Sequence, residues 1–68
     1  MSSTYYVIVD LDNLTYQKAG NPAKLAEADK FKTLKDAEKE LKDYDDDFNG
    51  AIYKVNEYTR IELEKVKG

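Results

Sequence analysis

Thr4-Tyr5-Tyr6-Val7-Ile8-Val9-Asp10-Leu11 is the stretch on which the fold turns. β-branched and aromatic residues dominate it, and such residues fit a pleated, half-buried surface, so the run predicts a strand. Side chains alternate along a strand. Tyr5, Val7, Val9 and Leu11 therefore share one face, and Tyr6, Ile8 and Asp10 the other. The first face is uniformly apolar and is expected to look into the core.

Outward from this strand, Asp12-Asn13 are turn formers. Leu14 to Lys18 then read as a second strand, hairpin-paired to the first and ended by Gly20-Asn21-Pro22. Residues 23 to 32 fit either helix or extended chain. Thr33 is a helix N-cap, with Asp36 three residues on in an approximate capping box. Leu34, Ala37, Leu41 and Tyr44 follow at helical spacing and predict a helix over 34–44. Glu38 and Lys42 offer an i,i+4 pair on it. Asp45-Asp46-Asp47-Phe48-Asn49-Gly50 reads as a turn, with Asn-Gly its sharpest signal. Strand character resumes over 51–58 and again over 59–66. These two segments form a hairpin turning near Asn56-Glu57, one bent strand or, less in keeping with the pattern, a closing helix.

The order ββαββ predicts an α+β domain spanning 1–68: a small antiparallel sheet with one helix packed on one face. The expected core is Tyr5, Val7, Val9, Leu34, Ala37, Leu41, Tyr53, Val55, Ile61 and Leu63. An exposed sheet edge could pair two copies in a homodimer.

Composition removes whole classes of chemistry. The chain has 68 residues and no Cys, His or Trp. Disulfides, Cys/His zinc sites and Ser-His or Cys-His nucleophilic pairs are excluded within it. No catalytic, metal or cofactor site is expected. The longest apolar run, Val7-Ile8-Val9, is too short to span a bilayer, so the expected location is the cytoplasm and no membrane partner is expected.

Two short segments resemble known motifs. Val7 to Thr15 is similar to the first motif of the haloacid dehalogenase family, an apolar strand ending in Asp-x-Asp. That resemblance implies Asp10 as nucleophile and Asp12 as acid/base around a magnesium ion. It departs in having Leu14 before Thr15, and a chain of this length lacks the parallel α/β core and later ligands the family uses. Asp45 to Asn56 resembles the loop of EF-hand calcium-binding proteins. Asp45, Asp47 and Asn49 stand at its first, third and fifth positions, Gly50 at the sixth and Ile52 at the eighth. Asn56 replaces the bidentate glutamate at the twelfth. Calcium binding by loop 45–56 is one alternative function.

Charge is unevenly placed beneath a net of −3. Residues 36 to 47 hold seven acids (Asp36, Glu38, Glu40, Asp43, Asp45, Asp46, Asp47) and two lysines, a net of −5. Residues 18 to 35 hold five lysines (Lys18, Lys24, Lys30, Lys32, Lys35) against Glu27 and Asp29, a net of +3. An acidic helix edge and loop is suited to a basic partner surface, and such complementarity speeds association and selects partners. Asp36, Glu40, Asp43, Tyr44, Asp45, Asp46 and Asp47 are the expected partner-binding residues. Nucleic-acid binding through the lysines of 18–35 is a further alternative, opposed by the net acidity and by Arg60 being the single arginine.

In style and size the chain resembles very short accessory proteins of bacteriophages and prophages. The likeness lies in Tyr5 to Asp10, in the strand-to-helix junction Phe31 to Glu38, and in the strand Ile52 to Val55. That resemblance implies a non-enzymatic protein that binds and modulates or inhibits a host protein, for example a defence nuclease of the kind anti-CRISPR proteins inhibit.

Overall fold

The computed structural model describes residues 4–57 and 61–68. The opening apolar run forms β1 (Thr4–Asp10). It is the middle strand of a five-stranded antiparallel sheet. Beside it lies β2 (Thr15–Lys18), then β3 (Asn21–Ala23); on its other side lie β4 (Gly50–Asn56) and β5 (Glu62–Lys67). One helix, α1 (Leu34–Leu41), packs on the sheet. The α+β class is as expected, but three strands precede the helix rather than two.

The added strand is β3. Lys18 and Asn21 pair across Ala19-Gly20, both at positive φ (50° and 81°). This is the backbone of a two-residue type I′ hairpin, whose twist matches that of the flanking strands. Pro22 is therefore a strand residue and does not simply end β2. It sits on an edge strand, where a missing N–H is tolerated.

β2 accompanies β1 only at Val9↔Tyr16 and Asp10↔Thr15. The chain at Asp29 to Phe31 fills the place β2 has left. Asp29 N–H donates to Gln17 O, and Phe31 forms a bridge with Tyr6. Of the ambiguous residues 23–32, Lys24 to Ala28 thus form a turn and Phe31 an isolated β-bridge.

Both faces of β1 are buried, which corrects the single-core expectation. One face carries Val7, Val9 and Val55, covered by Ala28 and Leu25, with Tyr5, Leu11, Tyr16 and Tyr53 around them. The helix lies on the other face. Ala37 meets Ile8 and Ile52 there, with Tyr6, Phe31, Leu34, Leu41, Tyr44, Phe48 and Val66 around them. Each fully buried Val or Ile contributes about 1.5–3 kcal/mol by leaving water. A continuous run such as Tyr5 to Val9, rather than strict apolar–polar alternation, is the pattern of a strand covered on both sides.

The helix begins as expected. Thr33 is extended at φ −129°, ψ 154°, and its hydroxyl accepts from Asp36 N–H at 3.1 Å. The helix stops at Leu41, short of 44, and continues as tighter turns through Asp43 N–H to Glu40 O and Tyr44 N–H to Leu41 O. Asp43, Asp45, Asp46 and Asp47 compete poorly for helix, and the tightened turns bring Tyr44 against Phe48, ring centroids 4.4 Å apart. Glu38 pairs with Lys67 of β5 in a salt bridge, a partner the i,i+4 expectation of Lys42 did not include.

β4 and β5 pair antiparallel, as in the hairpin alternative and not as one bent strand or a helix, but the ladder runs out to Asn56↔Glu62, so Asn56 belongs to β4 and not to the expected turn. Residues 58–60, which include the end of the expected strand 51–58 and the start of 59–66, lie outside the described residues. Val66 is an extra residue in β5, between pairs Ile52↔Lys67 and Tyr53↔Lys65, and turns into the helix-side core. Ile61 and Leu63 were expected in the core but are 57% and 46% exposed. The segment that covers Val7 and Val55 does not extend over the β5 edge. Among the described residues no helix is long and apolar enough to cross a membrane.

Candidate acidic cleft

Antiparallel pairing of β1 with β4 sets Asp10 opposite Gly50. The turn after β1 and the loop after α1 therefore meet at one end of the sheet. Between them and the β2–β3 hairpin opens a cleft of about 380 Å³, lined among others by Asp10, Asp12, Gln17, Asp45, Asp47 and Asn49. A second hollow of about 310 Å³ adjoins it, with Glu40 and Asp43 on its wall. Gly20, Tyr44 and Asp45 line both. The two hollows together present Asp10, Asp12, Glu40, Asp43, Asp45 and Asp47, with no lysine or arginine in their lining.

Tyr44 is the wall between the hollows. Burial pushes its hydroxyl pKa up; a hydrogen bond from the Gly20 backbone acts the other way, while the Glu40 and Asp29 carboxylates add to the rise. The hydroxyl thus stays protonated at neutral pH. Gln17 forms the floor, only 3% exposed, with its Nε2 3.5 Å from Thr15 Oγ1.

Asp10 is occupied by the turn it starts. Its Oδ1 accepts from Asp12 N–H at 2.9 Å and Asn13 N–H at 3.3 Å, and its Oδ2 accepts from Asn13 Nδ2 at 2.8 Å. These donors, Asn13 foremost, hold its carboxyl below the usual carboxylate range. Asp12 Oδ1 in turn accepts from Asn49 Nδ2 at 3.2 Å, and Leu11 N–H donates to Asn49 O at 2.9 Å. The Asp-x-Asp pair is thus a turn staple joined to the loop after the helix. In the segment resembling an EF-hand loop, β4 begins at Gly50, so residues 50–56 run extended along β1. Among the described residues no group of three or more Asp or Glu side chains is disposed to hold a metal ion.

Of the expected partner-binding residues, Glu40, Asp43, Tyr44, Asp45 and Asp47 come together at these hollows. Asp36 and Asp46 are exposed and line neither. Asp36 lies one turn before Glu40 on α1, at i, i+4 spacing. Sequence reasoning left Asp10, Asp12, Gln17 and Asn49 out of the site. The signal that would have placed them is the antiparallel return of β4 along β1, which must bring the residues after β1 beside those before β4. Of the lysines in 18–35, the exposed Lys30 folds back along the chain, its Nζ donating to Ala26 O at 3.0 Å and lying 5.6 Å from the Tyr5 ring centre. Comparison of the chain with protein-family models, curated proteins and solved structures finds no match.

Proposed function

We propose that this chain is a small non-enzymatic protein-binding module, of the accessory type that phages and prophages encode, and that its acidic end engages and modulates a host protein such as a defence nuclease. The observation that supports this is the gathering of Asp10, Asp12, Glu40, Asp43, Asp45 and Asp47 around Tyr44 with no cation among the lining residues. Asp10 and Asp12 are held by the fold, whereas Asp43, Asp45 and Asp47 are exposed and available to a partner. A surface of this kind suits a partner face rich in Arg and Lys, with the half-buried Tyr44 and Phe48 as aromatic ground between the charges.

The test is capture from host lysate by the tagged chain and by a Glu40→Lys/Asp43→Lys/Asp45→Lys variant. The unaltered chain is expected to retain a basic protein whose binding weakens with added salt, because exposed charges are screened. The variant is expected to lose it while keeping its circular dichroism spectrum. Equal capture by the two chains sinks the assignment of this face.

A further inference from the structure

We propose that Asn49–Gly50 is a modification site, an asparagine that converts spontaneously to aspartyl and isoaspartyl forms at a rate governed by its hydrogen bond to Asp12. The inference is independent of the partner-binding proposal.

Packing imposes the glycine. A Cβ at position 50 would lie 2.1 Å from Phe48 Cε2 and 2.8 Å from Phe48 Cδ2, so only glycine fits beneath that ring. Glycine adds no side chain of its own beside the backbone nitrogen that follows Asn49. The ladder does not consume that nitrogen on the β1 side. Leu11 N–H bonds to Asn49 O, which makes Asp10 and Gly50 a non-hydrogen-bonded pair and turns the Gly50 N–H away from β1. Asn49 itself is exposed to the water the reaction needs.

The chemistry balances without any cofactor. The Gly50 nitrogen attacks Asn49 Cγ, a new N–Cγ bond forms, and the Cγ–Nδ2 bond breaks. Ammonia leaves with the proton from the Gly50 amide. Water then opens the cyclic imide at either carbonyl, giving aspartate or its β-linked isomer. The net change is one water consumed and one ammonia released, and asparagine is among the thermolabile residues for this reason.

The fold restrains the first step. Asn49 Nδ2 donates to Asp12 Oδ1 at 3.2 Å, and the Asn49 carbonyl is fixed by Leu11 N–H. Asp12 is positioned in turn by the Asp10 carboxylate. Nδ2 is the leaving nitrogen, so its hydrogen bond to Asp12 is given up as ammonia departs. The product sets a carboxylate where a donor stood, facing Asp12, and adds negative charge to the cleft. The isoaspartyl form also lengthens the backbone by one methylene at the entry to β4.

The experiment follows the Asn49-containing peptide by mass spectrometry, with enzymatic isoaspartate labelling. The full chain is held in mildly alkaline buffer, folded and in urea. Asn21 is an internal control, since the Pro22 nitrogen carries no proton and cannot complete the step. In urea, Asn49 is expected to convert faster than Asn13 and Asn21. In the folded chain it should convert about tenfold more slowly than in urea, as expected for a step requiring local opening. Asp12→Ala should raise the folded rate by about threefold, the effect of losing one modest hydrogen bond. Asp12→Asn, which keeps an acceptor oxygen, should leave it near the original. Conversion in urea no faster than at Asn13, or equal rates folded and unfolded, overturns the proposal. So does a folded Asp12→Ala chain with an unchanged rate. If Asp12→Ala unfolds by circular dichroism, the folded-to-urea ratio and the Asp12→Asn rate still decide.

Discussion

Tyr6 and Phe31 exchange both backbone hydrogen bonds, Tyr6 N–H to Phe31 O at 2.8 Å and Phe31 N–H to Tyr6 O at 2.9 Å. This one bridge completes the β1 ladder where β2 has turned away, and it hands the chain from one face of the sheet to the helix on the other. Phe31→Ala removes a half-buried ring from the helix-side core and is expected to cost about 2–3 kcal/mol, somewhat less than a fully buried phenylalanine. Phe31→Pro also deletes the donor to Tyr6 O and should cost more. Urea denaturation of the two variants checks both the size and the order.

Gly50 and Phe48 are coupled by sterics. Gly50→Ala drives a methyl into the Phe48 ring and is expected to destabilise by about 1–3 kcal/mol. Phe48→Ala empties that space. A double-mutant cycle should then show Gly50→Ala costing much less in the Phe48→Ala background, since contacting residues do not behave additively. Additive losses would mean that the clash is relieved elsewhere.

Leu14 and Ala19 stand in the left-handed region at φ 57° and 50°, where an L side chain is disfavoured by about 1–2 kcal/mol. Ala19→Gly and Leu14→Asn are each expected to raise stability by about 0.5–1 kcal/mol, part of the relief being offset by a freer unfolded chain at glycine. Leu14→Asn also removes an apolar side chain that is 79% exposed. Thermal melts read both effects.

Alkaline pH should loosen the sheet at Tyr5. Burial first, then the hydrogen bond from its hydroxyl to Glu57 Oε1 at 2.6 Å, pushes its pKa from 10.0 up to about 12. The folded state thus favours the neutral phenol. The stabilisation is fully present below the unfolded pKa of about 10 and is lost as pH rises through about 12. Stability of the native chain should fall more steeply over that window than stability of Tyr5→Phe, measured by denaturant titration at each pH.

The outer edge of β5 opposes like charges in every antiparallel register centred on one of its charged residues: Glu62, Glu64, Lys65 and Lys67 each meet themselves. Centred on Leu63, Glu62 faces Glu64; centred on Val66, Lys65 faces Lys67. Like charges placed opposite are destabilising, and the extra Val66 bends the edge further. The chain is expected to sediment as a monomer, and Glu64→Val to introduce concentration-dependent dimers. A native dimer that Glu64→Val leaves unchanged would count against the edge as the determinant.

The sequence carried β1, the Thr33 cap, the Leu34-Ala37-Leu41-Tyr44 stripe and the Asn-Gly entry to β4 in local signals, and each is found in the fold. What it hid depended on neighbours distant in the chain. Pro22 reads as a terminator until its edge position is known. Ile61 and Leu63 read as core until the extent of the covering segment is known. Val7 and Ile8 read as inside and outside until both faces prove to be covered. The site divides the same way. Asp43 to Asp47 is visible as a charge run, whereas Asp10, Asp12 and Asn49 join it through β1–β4 pairing alone.

The placement of β1 at the centre of the sheet also sets the timing of assembly. Its long partner, β4, pairs from Thr4↔Asn56 to Asp10↔Gly50, so almost the entire intervening chain must be made before that ladder can close. During synthesis the β1–β2–β3 meander emerges first, with the apolar Val7-Ile8-Val9 edge awaiting its neighbour. Non-local closure of this sort slows folding and leaves a sticky strand open in the meantime. The nascent chain is therefore most vulnerable to misassociation in the interval between the emergence of Val9 and that of Val55.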